Sequence, residues 1–319
     1  MSKKSLFMKQ NKPTTIEDCF TIYLRKCEIR NISPKTLKVY RTHVEDFIKR
    51  TNATLICEIT EDTIDNYILD KRNNSTCNDI SINSYLRSIR AFLYWCMEQD
   101  YLSPFRVTIP RAEKKIKETY TDTELRLLLA KPNVNKVSFN QYKMWVLSNY
   151  LFATGNRISS ALSLKIKNLD FDNNMITIEK TKNHKQQLIP MSNVLKDVLI
   201  EYLSYRGGEP DEYVFCNEWG LQASIRTTED SIARYNHSRG VDKTSCHLYR
   251  HTFAKKWILN GGDIFRLQKI LGHSDLTVVR EYVNMFSNEV AIDFDKFNPL
   301  DNLTKSTKKQ CIKMKKAPH

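Results

Sequence analysis

Residues 247–285 read HLYRHTFAKKWILNGGDIFRLQKILGHSDLTVVREYVNM, and this stretch determines how the second half of the chain is interpreted. Its apolar residues recur at helical spacing and predict three helices, at 246–259, 263–271 and 276–285. Glycines separate the helices, as expected where a helix ends in a left-handed residue. His247 and Arg250 fall one turn apart on the first helix, and Tyr282 follows His273 by nine residues. The stretch predicts a mainly helical region that carries several chemically active side chains.

The chain before this stretch changes from strand-like to helical patterns. The runs MITIE and QLIPM, on either side of a polar turn around Asn183 and His184, predict a small antiparallel sheet. Thr121 with Glu124 has the form of a capping box and opens a helix. Further helices are predicted near 141–153, 192–205 and 227–235, the first of them ending at Gly155.

The first hundred residues predict four helices with basic outer faces. The helices begin at Thr15, at Ser33 with Pro34 behind it, near Thr60 and near Ser81. The side chains expected on the exposed faces are Lys35, Lys38, Arg41, Lys49, Arg50, Arg87 and Arg90.

Two domains account for most of the chain. We expect a basic leader over 1–13, a helical domain over 14–103, an extended and exposed linker over 104–120, a second domain over 121–300, and a lysine-rich, disordered tail over 301–319. The linker, PFRVTIPRAEKKIKETY, has two prolines and little helical periodicity.

Composition favours an intracellular protein with a polyanionic partner. The formal net charge is +14 and the pI is near 9.3, which suits nucleic acid, although a merely soluble basic surface is the alternative. The eight cysteines form no CxxC pair, which argues against zinc and against a disulfide framework. No secretory leader or long apolar run is present, so we expect a cytoplasmic protein without membrane contact.

Six side chains in the second domain could together cut DNA without a metal. That reaction needs a nucleophile, cations around the phosphate and an acid for the leaving oxygen. The six candidates, in chain order, are Arg157, Lys182, His247, Arg250, His273 and Tyr282. Each has a simpler explanation when taken alone, such as a packing tyrosine or a solvated HxxR face. Their joint occurrence in one order favours a shared site.

The order and spacing of these residues resemble the tyrosine recombinase, or phage-integrase-like, family. The resemblance is carried by TGNR, TKNHKQQLIP, HLYRHTFAKKWILNGG and LGHSDLTVVREYVNM, and it covers nearly the whole chain. It implies an all-helical, SAM-like core-binding domain followed by a mainly helical α+β catalytic domain with a small antiparallel sheet. It also implies double-stranded DNA recombination sites as partner, four protomers on two DNA segments, and neither a metal nor a nucleotide cofactor. The protein would then associate with the nucleoid, and accessory DNA-bending proteins are compatible with this expectation.

The resemblance also assigns roles to the six residues. Tyr282 would become joined to the 3′ phosphate, and Arg157 and Arg250 would hold the nonbridging oxygens. Lys182 matches the general acid, with Lys180 and Lys185 as near alternatives. His247 is a proton acceptor candidate and His273 a hydrogen-bond donor candidate, but imidazole can serve in either role.

The sequence departs from the family pattern at one position. It also leaves three alternative functions open: DNA inversion or resolution, DNA relaxation, and DNA binding without catalysis. The family usually has an acidic residue three positions after the first arginine, where this chain has Ser160. We favour integration and excision of a mobile element over DNA inversion or resolution. The rivals in other classes are a type IB-like topoisomerase, which would relax plasmids lacking a target site, and a noncatalytic DNA-binding regulator, in which Tyr282 would be dispensable.

Overall fold

The computed structural model describes residues 15–112, 118–179 and 186–272. The chain divides into two compact units, residues 1–115 and 116–319. The predicted helix at 276–285, the turn around Asn183, the basic leader and the lysine-rich tail lie outside the described residues.

The first unit is a bundle of four helices, as the sequence predicts. The helices are α1 (Ile16–Ile29), α2 (Pro34–Thr51), α3 (Glu61–Asn74) and α4 (Asp79–Glu98). Each begins after a side chain that accepts a hydrogen bond from a first-turn N–H group, and these caps are Thr15, Ser33, Thr60 and Asn78. The cap removes the cost of an unpaired amide, so the local sequence fixes where each helix starts.

Aromatic side chains fill the core of the first unit. Phe92 on α4 packs edge-on against Phe20 of α1, with ring centroids 5.3 Å apart, and Tyr23 contacts both Phe92 and Trp95. Burying a side chain of this size stabilises a fold by about 1.5–3 kcal/mol. Helices α1, α2 and α4 each pack against the other two, and these contacts hold the bundle together.

A charged network crosses the side of this bundle formed by α2 and α3. The Asp46 carboxylate accepts hydrogen bonds from Lys71 Nζ at 2.8 Å, Tyr67 Oη at 2.7 Å and Arg50 Nε at 3.2 Å, and Arg50 also pairs with Asp70. Lys71 is 2% exposed. Arg50, which was expected on an exposed basic face, is only partly exposed, at 29%, because its guanidinium pairs with the two carboxylates.

This network should make the first unit sensitive to acid. Although burial alone would raise the pKa of Asp46, the hydrogen bonds from Lys71, Tyr67 and Arg50 lower it overall. A lowered carboxyl pKa contributes stability above the unfolded value of about 4, and that contribution is lost as pH falls. We expect Asp46→Asn to destabilise the unit by about 1–2 kcal/mol at pH 7 and by less at pH 3, below the unfolded pKa. Hydrogen exchange of the α2 and α3 amides measures this difference.

The exposed Asp65 of α3 provides the control. Asp65→Asn makes the same chemical change outside the network and should alter exchange little at either pH. An Asp46→Asn penalty that stays the same from pH 7 to pH 3 would contradict the proposed linkage.

The second unit surrounds one long helix. Its helices are α5 (Asp122–Leu129), α6 (Phe139–Thr154), α7 (Ile158–Leu162), α8 (Asn193–Arg206), α9 (Ile225–Ser238), α10 (Cys246–Leu259) and α11 (Ile264–Leu271). Helix α6 is buried on most of its surface and packs against α5, α7, α8, α9 and α10. Leu147, Tyr150 and Leu151 of α6 are completely inaccessible. This packing fixes the position of α10 relative to α6 within the second unit.

A three-stranded antiparallel sheet lies beside these helices, which confirms the prediction of a small sheet. The strands are β1 (Leu169–Asp170), β2 (Met175–Ile178) and β3 (Gln187–Pro190), in the order β1-β2-β3. Ile176 pairs with Ile189, and both side chains are buried. The two-residue β1 was not predicted. The fold class, mainly helical with this small sheet, is as the sequence indicates.

The segment between the two helical regions is less exposed than its composition suggests. Val107 is buried in the core of the first unit, where Asn83 Nδ2 also donates to the carbonyl of Pro110 at 2.8 Å. Tyr120 is buried in the core of the second unit. The expectation of an exposed linker throughout 104–120 is corrected at these residues, because each end carries an apolar anchor. Among the described helices, none is both long and apolar enough to span a membrane.

Candidate active site

The turn after α6 fixes the backbone that carries Arg157. Gly155 ends the helix in the left-handed region, at φ 63°, and its N–H donates to the Leu151 carbonyl. Asn156 is buried and donates from Nδ2 to the Tyr150 hydroxyl at 2.8 Å. Arg157 then stands at the N-cap of α7 with its side chain partly exposed. The turn therefore carries the partly exposed Arg157 directly after two residues, Gly155 and Asn156, that are hydrogen-bonded to α6.

Arg250 joins three separate parts of the second unit. Its side chain is 5% exposed on α10. Nη1 donates to the Gly155 carbonyl and Nη2 to the Leu271 carbonyl, both at 2.8 Å. These two bonds use part of the five N–H donors of a guanidinium. Arg250 therefore links α10 to the end of α11 and to the turn that carries Arg157.

Helix α10 places His247 near Arg250 but in solvent. Tyr249 is completely buried, and its hydroxyl contacts Ser148 Oγ at 3.0 Å and Asn236 Oδ1 at 3.2 Å. Burial raises the pKa of Tyr249 well above its usual value, so this phenol stays protonated. His247, one turn before Arg250, is exposed, and its ring lies 6.5 Å from that of His251. The buried tyrosine fixes the rotation of α10 and leaves the imidazole accessible.

Three of the six predicted residues can thus be located. Arg250 binds the carbonyl of Gly155, two residues before Arg157 in the chain, and His247 shares a helix with Arg250. Lys182, His273 and Tyr282, as well as the alternatives Lys180 and Lys185, lie outside the described residues. The located residues provide two cations and an imidazole, which is the type of set that can stabilise negative charge on a phosphate.

Both halves of the chain match known domain families. Residues 118–289 match the phage integrase family, and residues 20–103 match the SAM-like N-terminal domain of phage integrases. The chain belongs to the phage integrase family. Members of this tyrosine recombinase family are DNA strand-exchange enzymes, which confirms the resemblance and the enzyme class predicted from sequence.

Similarity to individual proteins extends over both units. Tyrosine recombinase XerD of Staphylococcus aureus is 23% identical over 293 residues, covering 87% of this chain and 97% of XerD. A solved structure of the Tn1549 transposon integrase with circular intermediate DNA has a TM-score of 0.72 at 19% identity, covering 85% and 95% of the two chains. A lambda integrase tetramer bound to a Holliday junction has a TM-score of 0.67 at 15% identity, covering 85% and 83%. These structures share the integrase fold.

Ser160 stands at the position where the sequence departs from the family pattern noted above. Ser160 lies in α7, and its backbone N–H donates to the carbonyl of Arg157 at 2.9 Å. Among the described residues, two main-chain carbonyls that brace Arg250 are those of Gly155 and Leu271. A carbonyl carries a partial negative charge and accepts strongly from a guanidinium, so it can orient Arg250 without an acidic side chain.

Sequence reasoning missed one side chain near these carbonyls. Gln187 Nε2 donates to the carbonyls of Lys269, at 2.6 Å, and Ile270, at 2.7 Å. The contact joins residues more than eighty positions apart. An amide in a strand has no sequence pattern that identifies such a partner.

A side chain at Gly155 should destabilise the second unit. An added Cβ would lie 2.5 Å from Phe253 Cδ1 and 2.8 Å from Leu271 Cδ2, and the positive φ adds strain of about 1–2 kcal/mol. We expect Gly155→Ala to lower the free energy of unfolding by about 2–3 kcal/mol, since strain and overpacking add. Because its carbonyl binds Arg250, DNA cleavage should fall as well. Urea denaturation and a cleavage assay measure the two effects.

Gly240 provides the matched control. It follows α9 with a similar φ of 75°, but an added Cβ there would meet no atom within 4 Å. Gly240→Ala should therefore show the backbone strain alone and leave cleavage unchanged. Equal destabilisation by the two substitutions would show that the contacts with Phe253 and Leu271 do not restrict position 155.

Proposed function

We propose that this integrase is a site-specific recombinase that cuts and rejoins DNA through a 3′-phosphotyrosyl link to Tyr282. The Tyr282 oxygen forms a bond to phosphorus while the bond from phosphorus to the 5′ oxygen breaks. The 5′ oxygen takes a proton from Lys182 and leaves as a hydroxyl, and the phenolic proton passes to a base such as His247. A 5′ hydroxyl from another strand can reverse these steps, since the phosphotyrosyl ester retains the energy of the diester.

The arginines would stabilise the charge that develops on the phosphate. Arg157 and Arg250 would donate to the nonbridging oxygens, with His273 as a further donor. The observation that carries the proposal is the Arg250 guanidinium bound to the carbonyl of Gly155, two residues before Arg157. This bond brings together two parts of the chain that the sequence separates by about ninety residues, as a shared phosphate site requires.

Double-stranded DNA would be held by both units. The first unit presents exposed Lys35, Lys38, Arg41, Lys49 and Arg87, and the whole chain has a net charge of +14. Such side chains neutralise phosphates and give salt-dependent affinity. The lambda integrase tetramer on a Holliday junction supports assembly of four protomers on two DNA segments.

The biological role that we propose is integration and excision of a mobile element. The Tn1549 transposon integrase, whose structure was solved with a circular intermediate, supports this role. The protein would act in the cytoplasm on nucleoid DNA.

Covalent capture tests the reaction. Wild-type protein is incubated with nicked genomic fragments from its host, denatured, and the DNA that remains attached is sequenced. We expect enrichment of a discrete site, a free 5′ hydroxyl, and phosphate on the peptide that contains Tyr282. Failure to capture any DNA would refute the proposal. Capture without site preference, together with relaxation of a plasmid lacking the site, would instead identify a topoisomerase.

A further inference from the structure

Two side chains from different elements bind the carboxyl end of α11. Gln187, the first residue of β3, donates to the carbonyls of Lys269 and Ile270, and Arg250 donates to the carbonyl of Leu271. Three consecutive carbonyls at the end of the helix are thus bound by side chains, and that of Lys269 also accepts from the Gly272 N–H at 3.1 Å. The same helix end therefore connects the amide of Gln187 to the guanidinium of Arg250.

Gly272 closes tightly over the Gln187 amide. It ends α11 at φ 62°, and a Cβ at this position would lie 2.7 Å from Gln187 Oε1. The amide therefore lies close to the Gly272 backbone as well as to the two helix carbonyls. Such an arrangement restricts the position of the helix end more than a single hydrogen bond would.

We propose that Gln187 is a positioning residue for DNA cleavage, acting through the end of α11 on Arg250. This inference rests on the proposed function. The Leu271 carbonyl directs one of the two terminal nitrogens of Arg250, and Gln187 fixes the two carbonyls that precede it. In the chain, Lys182 stands five residues before Gln187, and His273 follows Gly272 directly. Gln187 thus joins the two segments that lead to these candidate residues.

Satisfying the carbonyls alone does not require Gln187. Its contact with the Lys269 carbonyl is exposed, so water could replace the amide there. The Gln187 amide is attached to β3 and therefore fixes the position of the helix end, whereas a water molecule would satisfy the carbonyl without fixing it. Loss of the amide should accordingly leave the protein folded and able to bind DNA, while the cleavage step slows.

The test compares Gln187→Met with the matched Gln186→Met. Methionine keeps the length of the side chain and removes its donors, and Gln186 is the adjacent, exposed glutamine. The rate of adduct formation is measured at saturating protein on a nicked substrate built from the captured site, alongside the Kd for DNA. We expect at least a tenfold slower rate for Gln187→Met with the Kd within twofold of wild type. Gln186→Met should match wild type in both.

A donor-restoring variant separates positioning from general damage. Gln187→Lys supplies ammonium donors of similar reach and should recover most of the lost rate, whereas Gln186→Lys controls for the added charge. Wild-type cleavage rates in Gln187→Met, or equal loss of rate in the Met and Lys variants, would overturn the inference while the proposed function stands. A wild-type protein that forms no adduct would instead overturn both.

Discussion

Replacing Tyr282 by phenylalanine is expected to abolish the covalent protein–DNA adduct while leaving DNA affinity unchanged. The substitution removes one oxygen, and that oxygen is the atom proposed to bond to phosphorus. No phosphotyrosyl ester can form without it, so the loss should be complete rather than partial. Affinity for DNA depends mainly on contacts between basic side chains and phosphates, which phenylalanine does not alter. The two properties should therefore separate in one variant.

The measurement combines a denaturing gel for the adduct with a binding titration on intact site DNA. Tyr205→Phe is the control, because Tyr205 is 55% exposed at the end of α8 and has no assigned role. It should form adduct at the wild-type rate. Adduct formation by Tyr282→Phe would mean that another nucleophile is used, and unchanged recombination would favour a different enzyme class altogether.

Local signals account for the part of the fold that the sequence predicts. A helix start needs a capping side chain within a few residues, and Thr121 with Glu124 shows both halves of a capping box in sequence and in structure. The glycine that ends α6 is equally local. The alternation in MITIE and QLIPM identifies two strands because their inward residues alternate with outward ones.

Long-range partners explain what the sequence does not predict. Arg50 looks like any surface arginine on a helix until Asp70, twenty residues later, is placed beside it. Val107 lies in a charged, proline-containing segment, and only the packed core shows that it is buried. For the candidate site, motif order identifies Arg157, His247 and Arg250 as candidates, but not the carbonyls that orient Arg250. Main-chain carbonyls occur at every residue, so no motif distinguishes the two that matter.

The orientation of Arg250 has a consequence for substitution by lysine. A guanidinium spans two acceptors because its terminal nitrogens are held in one plane, and in Arg250 they reach the Gly155 and Leu271 carbonyls. A lysine ammonium is a single point and cannot reproduce that planar fork. One carbonyl would lose its donor, at a cost of about 1–3 kcal/mol, and the planar donors that we propose for the phosphate would be lost as well.

We therefore expect Arg250→Lys to slow adduct formation about 10²–10³-fold, the usual effect of removing one preorganised donor from a transition state. The assay is single-turnover cleavage at saturating protein, run well below the unfolding temperature so that reduced stability does not contribute. Arg239→Lys is the matched control, since Arg239 Nη2 also donates to a main-chain carbonyl, that of Ala130, at 3.0 Å. It should lose stability without losing cleavage. If Arg250→Lys and Arg239→Lys cleave DNA at equal rates, the guanidinium of Arg250 contributes to the fold and not to cleavage.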